Sequence, residues 1–332
     1  MHSRTKRMIL AVDRILAACS LPVTKEEGVL LTFLFHSLFE GPEETRSGVM
    51  HPQQETTVEM FRQIIGHFQK QSYRFVSPED VLNGLPSRGK YVLLTLDDGY
   101  YNNIRALPVL EAFRAPAVLF VSSGHVKQGK AFWWDVVYRE NKKRGRTEQE
   151  IDRMIAGYKP LRTADVEAQL RDQFGPAALK PVGDLDRPFT PAELRQFARH
   201  PLISLGNHTR DHAILTGYSS AEIQEQIQGA QDDIREMTGQ SPRTIAYPNG
   251  NESWEIVAAA GRAGLCLGIG VHPGRNRLPL RSPEAMRLKR STLWGDLAIE
   301  PQCRTSRSGV SLYRLLYSVR ARSSATPAPR LA

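Results

Sequence analysis

The chain has 332 residues, 41% of them hydrophobic, with a formal charge of +9 and three cysteines. That length and apolar fraction suit one barrel-sized domain with extensions better than two equal domains. Cys19, Cys266 and Cys303 are an odd number at unmatched spacings, which excludes a disulfide framework or a zinc knuckle; the positive charge comes with no nucleic-acid motif, so no nucleic-acid partner is expected.

Residues 1–24 are expected to form an N-terminal helix. Met8, Ile9, Val12, Ile15 and Leu16 recur at helical spacing with Arg4, Lys6, Arg7 and Arg14 nearby. Such a stripe either docks on a core, the preferred reading, or lies on an anionic membrane surface. Asp13 and Arg14 interrupt its apolar stretch, against both a signal peptide and a membrane span, so a cytoplasmic location is expected, with membrane association as the variant.

Strand then helix recurs along residues 25–300: Val92–Leu96 then Ile104–Phe113, Ala117–Val121, Ile203–Leu205, Ile245–Tyr247 then Ser253–Arg262, and Cys266–Val271. This alternation predicts an α/β fold. Tyr91–Leu96 is an apolar run suited to a strand buried on both faces, and it delivers Asp97, Asp98 and Gly99 at its carboxyl end. Adjacent carboxylates repel each other unless a cation binds or a proton is shared. After Ala117–Val121 come Trp133 and Trp134; in an extended segment adjacent tryptophans face opposite ways, so one is expected to pack and the other, Trp134, to meet a ligand ring. Residues 130–190 break the rhythm with a charged run, Arg139–Arg146, and helix-like text over 147–173. They read as an insertion near the site entrance.

The strand at 202–205 runs into His208 and His212, four residues apart. On a helical turn or tight loop that spacing puts both imidazoles on one side, and together with one carboxylate they suit zinc or a similar divalent ion with open positions. A helix from Ser219 to Met237, with Ile223, Ile227 and Ile234 on its apolar face, leads into Thr244–Tyr247. Cys266 in its apolar strand reads as a core residue. The segment 301–332 reads as a basic, disordered tail: from Arg304 to Arg330 it has six arginines and no acid. It either meets anionic lipid or acidic glycan or simply solubilises the chain.

The order Thr-Leu-Asp-Asp-Gly, then His-Thr-x-x-His, then Ala-Tyr-Pro-Asn-Gly at 246–250 resembles the NodB-homology polysaccharide deacetylases, carbohydrate esterase family four. The resemblance spans residues 95–250. It implies an irregular (β/α) barrel and a metal-dependent hydrolase that removes N-acetyl groups from an amino sugar of a polysaccharide or glycolipid precursor. Asp98, His208 and His212 would hold the metal, zinc foremost, with cobalt, nickel or iron as alternatives. Asp97 would be the catalytic base, and the backbone N–H of Asn249 an oxyanion donor, with Tyr247, Pro248 and Gly250 shaping the substrate wall. Two departures stand out: Ala246 occupies the place of an arginine that orients the catalytic aspartate, and 286–292 lacks the late histidine that supplies the acid. Both gaps resemble an exopolysaccharide-type subgroup whose acid histidine lies on an N-terminal strand. Gly28–His36 is such a strand, which makes His36 the candidate acid and Arg290 the candidate replacement cation, with His125 and His272 as weaker acids. Alternatives are a noncatalytic glycan-binding protein and a deacylase of a small amide or O-acetyl ester.

Overall fold

The computed structural model describes residues 3–316. Nine strands form one sheet: β1 (Val29–Phe35), β2 (Arg74–Phe75), β3 (Lys90–Leu96), β4 (Ala117–Val121), β5 (Ile203–Asn207), β6 (Thr244–Ala246), β7 (Leu267–Ile269), β8 (Asn276–Arg277) and β9 (Ser291–Thr292). Their order is β7-β6-β5-β4-β3-β1-β8, with β2 on β3 and β9 on β1, and every pair is parallel except β1 with β8. The segment 288–292 brings the two ends of the sheet together: Leu288 bridges Ile269, the Arg290 N–H donates to the His272 carbonyl, and Ser291 pairs with Phe33. The result is an α/β fold whose curled, mostly parallel sheet agrees with the irregular (β/α) barrel that the resemblance implies.

Side chains alternate along the strands and sort into two layers. Leu31, Phe33, Phe35, Val92, Leu94, Leu96, Leu119 and Val121 face outward against Phe61, Ile64, Phe68, Val109, Leu110 and Ile234 of the covering helices. Leu30, Tyr91, Leu93, Val118, Phe120, Ala246 and Ile269 face inward. Burial on both faces explains why Val29–Phe35 and Tyr91–Leu96 read as nearly unbroken apolar runs. The same alternation carries a prediction for the site: Asp97 continues the inward set 91, 93, 95, and His36 continues 30, 32, 34. Phe35 pairs with Leu96, so His36 and Asp97 stand side by side at the carboxyl end of the barrel.

The insertion is a folded layer with its own core. Helices Trp133–Lys143, Glu148–Tyr158 and Thr163–Phe174 pack around Phe132, Val136, Val137, Ile151, Val166 and Leu170. The charged run ends exposed, at Lys143, Arg144 and Arg146, but starts inside: Arg139 is buried, its guanidinium 2.8 Å from Asp186 and donating to the carbonyls of Ala178 and Lys180. The two tryptophans are not in an extended segment. They open a helix, and both are buried.

Ser3–Ser20 is a helix packed against Ile299–Arg307. Its buried residues include Ile9, Asp13 and Ala17, whereas Met8, Val12 and Ile15 of the expected stripe are exposed. Asp13 faces inward because its carboxylate accepts from the backbone N–H groups of Leu312 and Tyr313 and from Ser311 Oγ. The tail expected from 301 begins as structure: Cys303 is buried in the helix Ile299–Arg307, and Arg307 pairs with Glu26 at 2.8 Å. Its continuation from 317, with Arg320, Arg322 and Arg330, lies outside the described residues. Cys266 corrects the core reading, since it precedes β7 and is exposed. No helix among the described residues is long and apolar enough to cross a membrane.

Candidate functional site

Beyond β3 the chain turns sharply. Asp97 donates its backbone N–H to the Phe35 carbonyl at 2.9 Å, and the next two residues, Asp98 and Gly99, take positive φ angles of 76° and 92°. A positive φ at aspartate costs backbone energy and is held here by the surrounding structure. Across the barrel, β5 ends in a loop that the chain builds with its own side chains. Asn207 Nδ2 donates to the Ile227 carbonyl, Asn207 Oδ1 accepts from the Thr209 N–H, and Thr209 Oγ1 accepts from the Ala213 N–H. Thr209 and His212 have φ of 63° and 51°, so the histidine pair sits on a tight loop, not on a helix.

These turns bring Asp98, His208 and His212 together, with one ligand atom from each lying within 4.8 Å of the others. Both imidazole Nε2 atoms are 3.4 Å from Asp98 Oδ1, longer than a charge-assisted hydrogen bond. His208 Nδ1 lies 2.8 Å from the Ala246 carbonyl, which fixes the tautomer and turns the Nε2 lone pair toward Asp98. Asp98 is fully buried, and neither carboxylate oxygen has a hydrogen-bond partner among the described residues. A buried carboxylate left bare is costly unless a cation meets it. Burial opposes its charge, yet the neighbouring histidines hold its pKa well below the usual carboxylate range. Burial pushes the His212 imidazole down to about 3. For His208, burial also acts downward, but Asp97 and Asp98 outweigh it and raise the pKa. An ionised carboxylate and two imidazoles with aimed lone pairs fit a divalent ion of borderline softness.

Asp97 lies beside this cluster, its Oδ2 3.8 Å from His208 Nε2. On its other side Arg290 Nη1 donates to Asp97 Oδ1 at 2.7 Å and to Thr95 Oγ1 at 2.9 Å, while Nε donates to the Gly270 carbonyl. His36 donates from Nδ1 to Gln54 Oε1 at 2.7 Å, which leaves Nε2 as its second polar atom. His36, Gln54, Asp97, Asp98, His208, His212 and Arg290 line one cavity of about 450 Å³.

Trp134 also lines the cavity, as does Trp133. The Trp134 ring lies 4.6 Å from that of His212, held by a hydrogen bond from its Nε1 to the Tyr100 hydroxyl, which in turn donates to Asp135 at 2.6 Å. Of the Ala-Tyr-Pro-Asn-Gly loop, only Asn249 lines the cavity. Tyr247 is a correction: its ring is buried among Ile245, Ile256 and Leu265, and its hydroxyl donates to the Met286 carbonyl, so it builds the core behind the loop. Pro248 and Gly250 likewise do not reach the cavity. Gly250 has φ of 73°, and a Cβ there would come within 2.2 Å of Val271 Cγ2; its bare backbone lets the loop close on that wall. His125 stacks on Phe132 at 4.1 Å and His272 lines a different groove, so neither stands in the cavity.

Several lining residues carried no sequence signal. Gln54, His51 and Trp294 come from loops. Asp152 and Lys159 come from the insertion and reach across the mouth, with Asp152 Oδ1 3.0 Å from His51 Nε2 and Lys159 Nζ 2.7 Å from Asn249 Oδ1.

Residues 84–267, more than half of the chain, match the family model described as polysaccharide deacetylase. The chain belongs to the polysaccharide deacetylase family. A hydrolytic deacetylase acting on acetylated glycan is the class that goes with that family, and its model takes in the Asp-Asp, His-x-x-x-His and Tyr-Pro-Asn-Gly segments but neither His36 nor Arg290. No curated protein matches the sequence. Among solved structures, the chain is similar to the Streptococcus pyogenes deacetylase PplD in complex with acetate, with a TM-score of 0.57 and 19% identity, covering 84% of this chain and 99% of that one. It is also similar to IcaB from Ammonifex degensii (TM-score 0.56, 18% identity, 85% and 98% covered). A de-N-acetylase from Aggregatibacter actinomycetemcomitans matches with a TM-score of 0.54 at 12% identity, covering 83% and 99%. At these identities the likeness is one of fold.

Proposed function

We propose that this deacetylase is a metal-dependent hydrolase that removes N-acetyl groups from an amino sugar of a polysaccharide or glycolipid precursor, as an exopolysaccharide-type member of the family. The observation that carries the reading is Asp98, whose two buried, unpartnered carboxylate oxygens face the Nε2 atoms of His208 and His212. A divalent ion held by these three residues, zinc foremost, supplies Lewis acidity toward the acetyl carbonyl and a more acidic bound water. Asp97 takes the proton of the attacking water, and Arg290, donating to its Oδ1, keeps the carboxylate aimed. An arginine held against Asp97, where the motif position itself is Ala246, supports an enzyme over a noncatalytic binder. His36, oriented by Gln54, returns a proton to the leaving amine. The backbone of Asn249 and the Trp134 face bound the sugar. Residues 25–300 form the catalytic unit, with 130–190 supplying one wall of the pocket. The similarity to a deacetylase described with acetate and to a de-N-acetylase is consistent with this chemistry.

Metal analysis of the purified protein together with acetate release from a panel of N-acetylated glycans tests the reading. One divalent ion per chain, lost together with acetate release in His208→Ala and His212→Ala, is expected. Full metal occupancy in both variants overturns it.

A further inference from the structure

A second groove is separated from the catalytic pocket by one intervening cavity that adjoins both. It is lined by Arg275, Arg277, Arg287, Lys289 and Arg314, with Glu252 as its acid. Glu252 is already taken, since Arg287 holds it at 2.6 Å and stacks on Trp254. The other nearby acid, Glu26, is held in two hydrogen bonds by Arg307. Arg314 is also engaged, donating to the carbonyls of Thr305, Ser306 and Ser308 at the end of the helix Ile299–Arg307. Among the described residues, no carboxylate comes within ion-pair distance of Arg275, Arg277 or Lys289. Arg275 is braced from behind by the Lys25 carbonyl, and Arg277 and Lys289 are exposed. Burial lowers the pKa of Arg275, with Tyr73 and Glu26 opposing it and Arg277 adding to it, and burial brings Arg314 to about 10, with Arg275 adding to it and Asp13 opposing it. Arg275, Arg277 and Lys289, gathered from separate segments with no carboxylate paired to them, favour an anion.

What adjoins the groove indicates which anion. Pro273, Ser311 and Arg314 are shared with a neighbouring cavity of about 290 Å³ of mixed lining, with Val271, Leu297 and Pro301 beside Asp13, Arg14 and Gln302. Val310, 47% exposed, stands on the groove's rim. A cationic groove rimmed by the exposed side chains of Val310 and Leu315 matches the phosphate layer and upper acyl region of a bilayer. Val271 and Trp294 line both that cavity and the catalytic pocket.

We propose that the groove of Arg275, Arg277 and Lys289 seats on the phosphate headgroups of an anionic membrane, setting the catalytic pocket close to the bilayer surface. Sedimentation of the full chain with phosphatidylcholine vesicles, with and without phosphatidylglycerol, tests this. The wild-type chain binds only the anionic vesicles, and salt weakens the binding. In Arg277→Glu/Lys289→Glu, affinity falls about tenfold or more, by the attraction of each basic residue to an anionic surface, with metal content and thermal melting unchanged. The milder Arg277→Gln/Lys289→Gln, which keeps both side chains long and polar, falls by less and serves should the double reversal fail to fold. Because both variants keep the arginines beyond 316, equal binding of variant and wild type assigns the membrane contact to that segment and overturns the proposal. Binding to inorganic phosphate or to a polyanionic glycan without vesicle binding also overturns it, as does no vesicle binding at all.

Discussion

Arg290 reaches Asp97 from nearly two hundred residues along the chain, its Nη1 2.7 Å from Oδ1, with both side chains almost wholly shut off from solvent. The pair exists because the segment 288–292 closes the barrel between β7 and β1, which turns residue 290 inward beside the end of β3. A buried carboxylate next to a cluster awaiting a cation needs a fixed partner of its own. Arg290 is that partner. Arg290→Gln leaves a buried charge uncompensated, a change that typically costs about 3–5 kcal/mol. Denaturant unfolding should show a loss of that order together with a steep fall in kcat. Unchanged stability removes the buried pair from the account.

The adjacent carboxylates separate by mutation. Asp97→Asn keeps the three proposed metal ligands and loses the proposed base, so metal should stay bound while acetate release stops. Asp98→Asn loses the ionised ligand, and metal content falls with activity. Metal analysis paired with turnover reads both, and the opposite pattern swaps the two roles.

His36→Ala removes the candidate acid without touching the metal cluster. On an N-acetyl sugar kcat should fall by about 10²–10⁴-fold, the usual contribution of a positioned acid. An activated ester, whose leaving group needs little protonation, should fall far less. Equal loss on both substrates argues against the acid role.

Metal affinity should depend on pH through His208. His212 stays neutral down to about 3 and Asp98 stays ionised, whereas the His208 pKa is raised above 6.5 in the metal-free protein. Ion binding must therefore displace one proton, from His208, once the pH drops below that raised value. Zinc affinity should be level above it and weaken about tenfold per pH unit below it. A zinc competition titration across the neutral and mildly acidic range checks this; a flat profile contradicts it.

The clasps across the pocket mouth concern substrate hold. Lys159→Ala removes the hydrogen bond to Asn249 that ties the insertion to the wall facing it. KM should rise by roughly the factor of a few to tenfold that one net hydrogen bond represents, while kcat and metal content change little. A selective fall in kcat instead places Lys159 in the chemistry.

Much of this was legible in the residue order. Asp97–Gly99 at the end of an apolar run, His208 and His212 four apart after the next such run, and the strand-helix rhythm depend on local patterns that a parallel barrel imposes on each strand separately. The reading of Tyr247 as a wall residue went astray because strand alternation does not say which face a residue takes once the strand ends; the ring turned into the core and met the Met286 carbonyl. Trp133 and Trp134 misled in a similar way, since a strand period was applied where the chain begins a helix.

The sequence by itself determined the class of fold, the family and the chemical types at the site, because motif spacing and burial period are properties of contiguous segments. The resemblance offered Arg290 as the cation for Asp97, but only the tertiary structure gave that contact, the bond of Gln54 to His36, and the reach of Asp152 and Lys159 across the pocket mouth. Those contacts join segments separated by tens to hundreds of residues. Their geometry follows from barrel closure and from how the insertion packs its own core, neither of which is written in any local period.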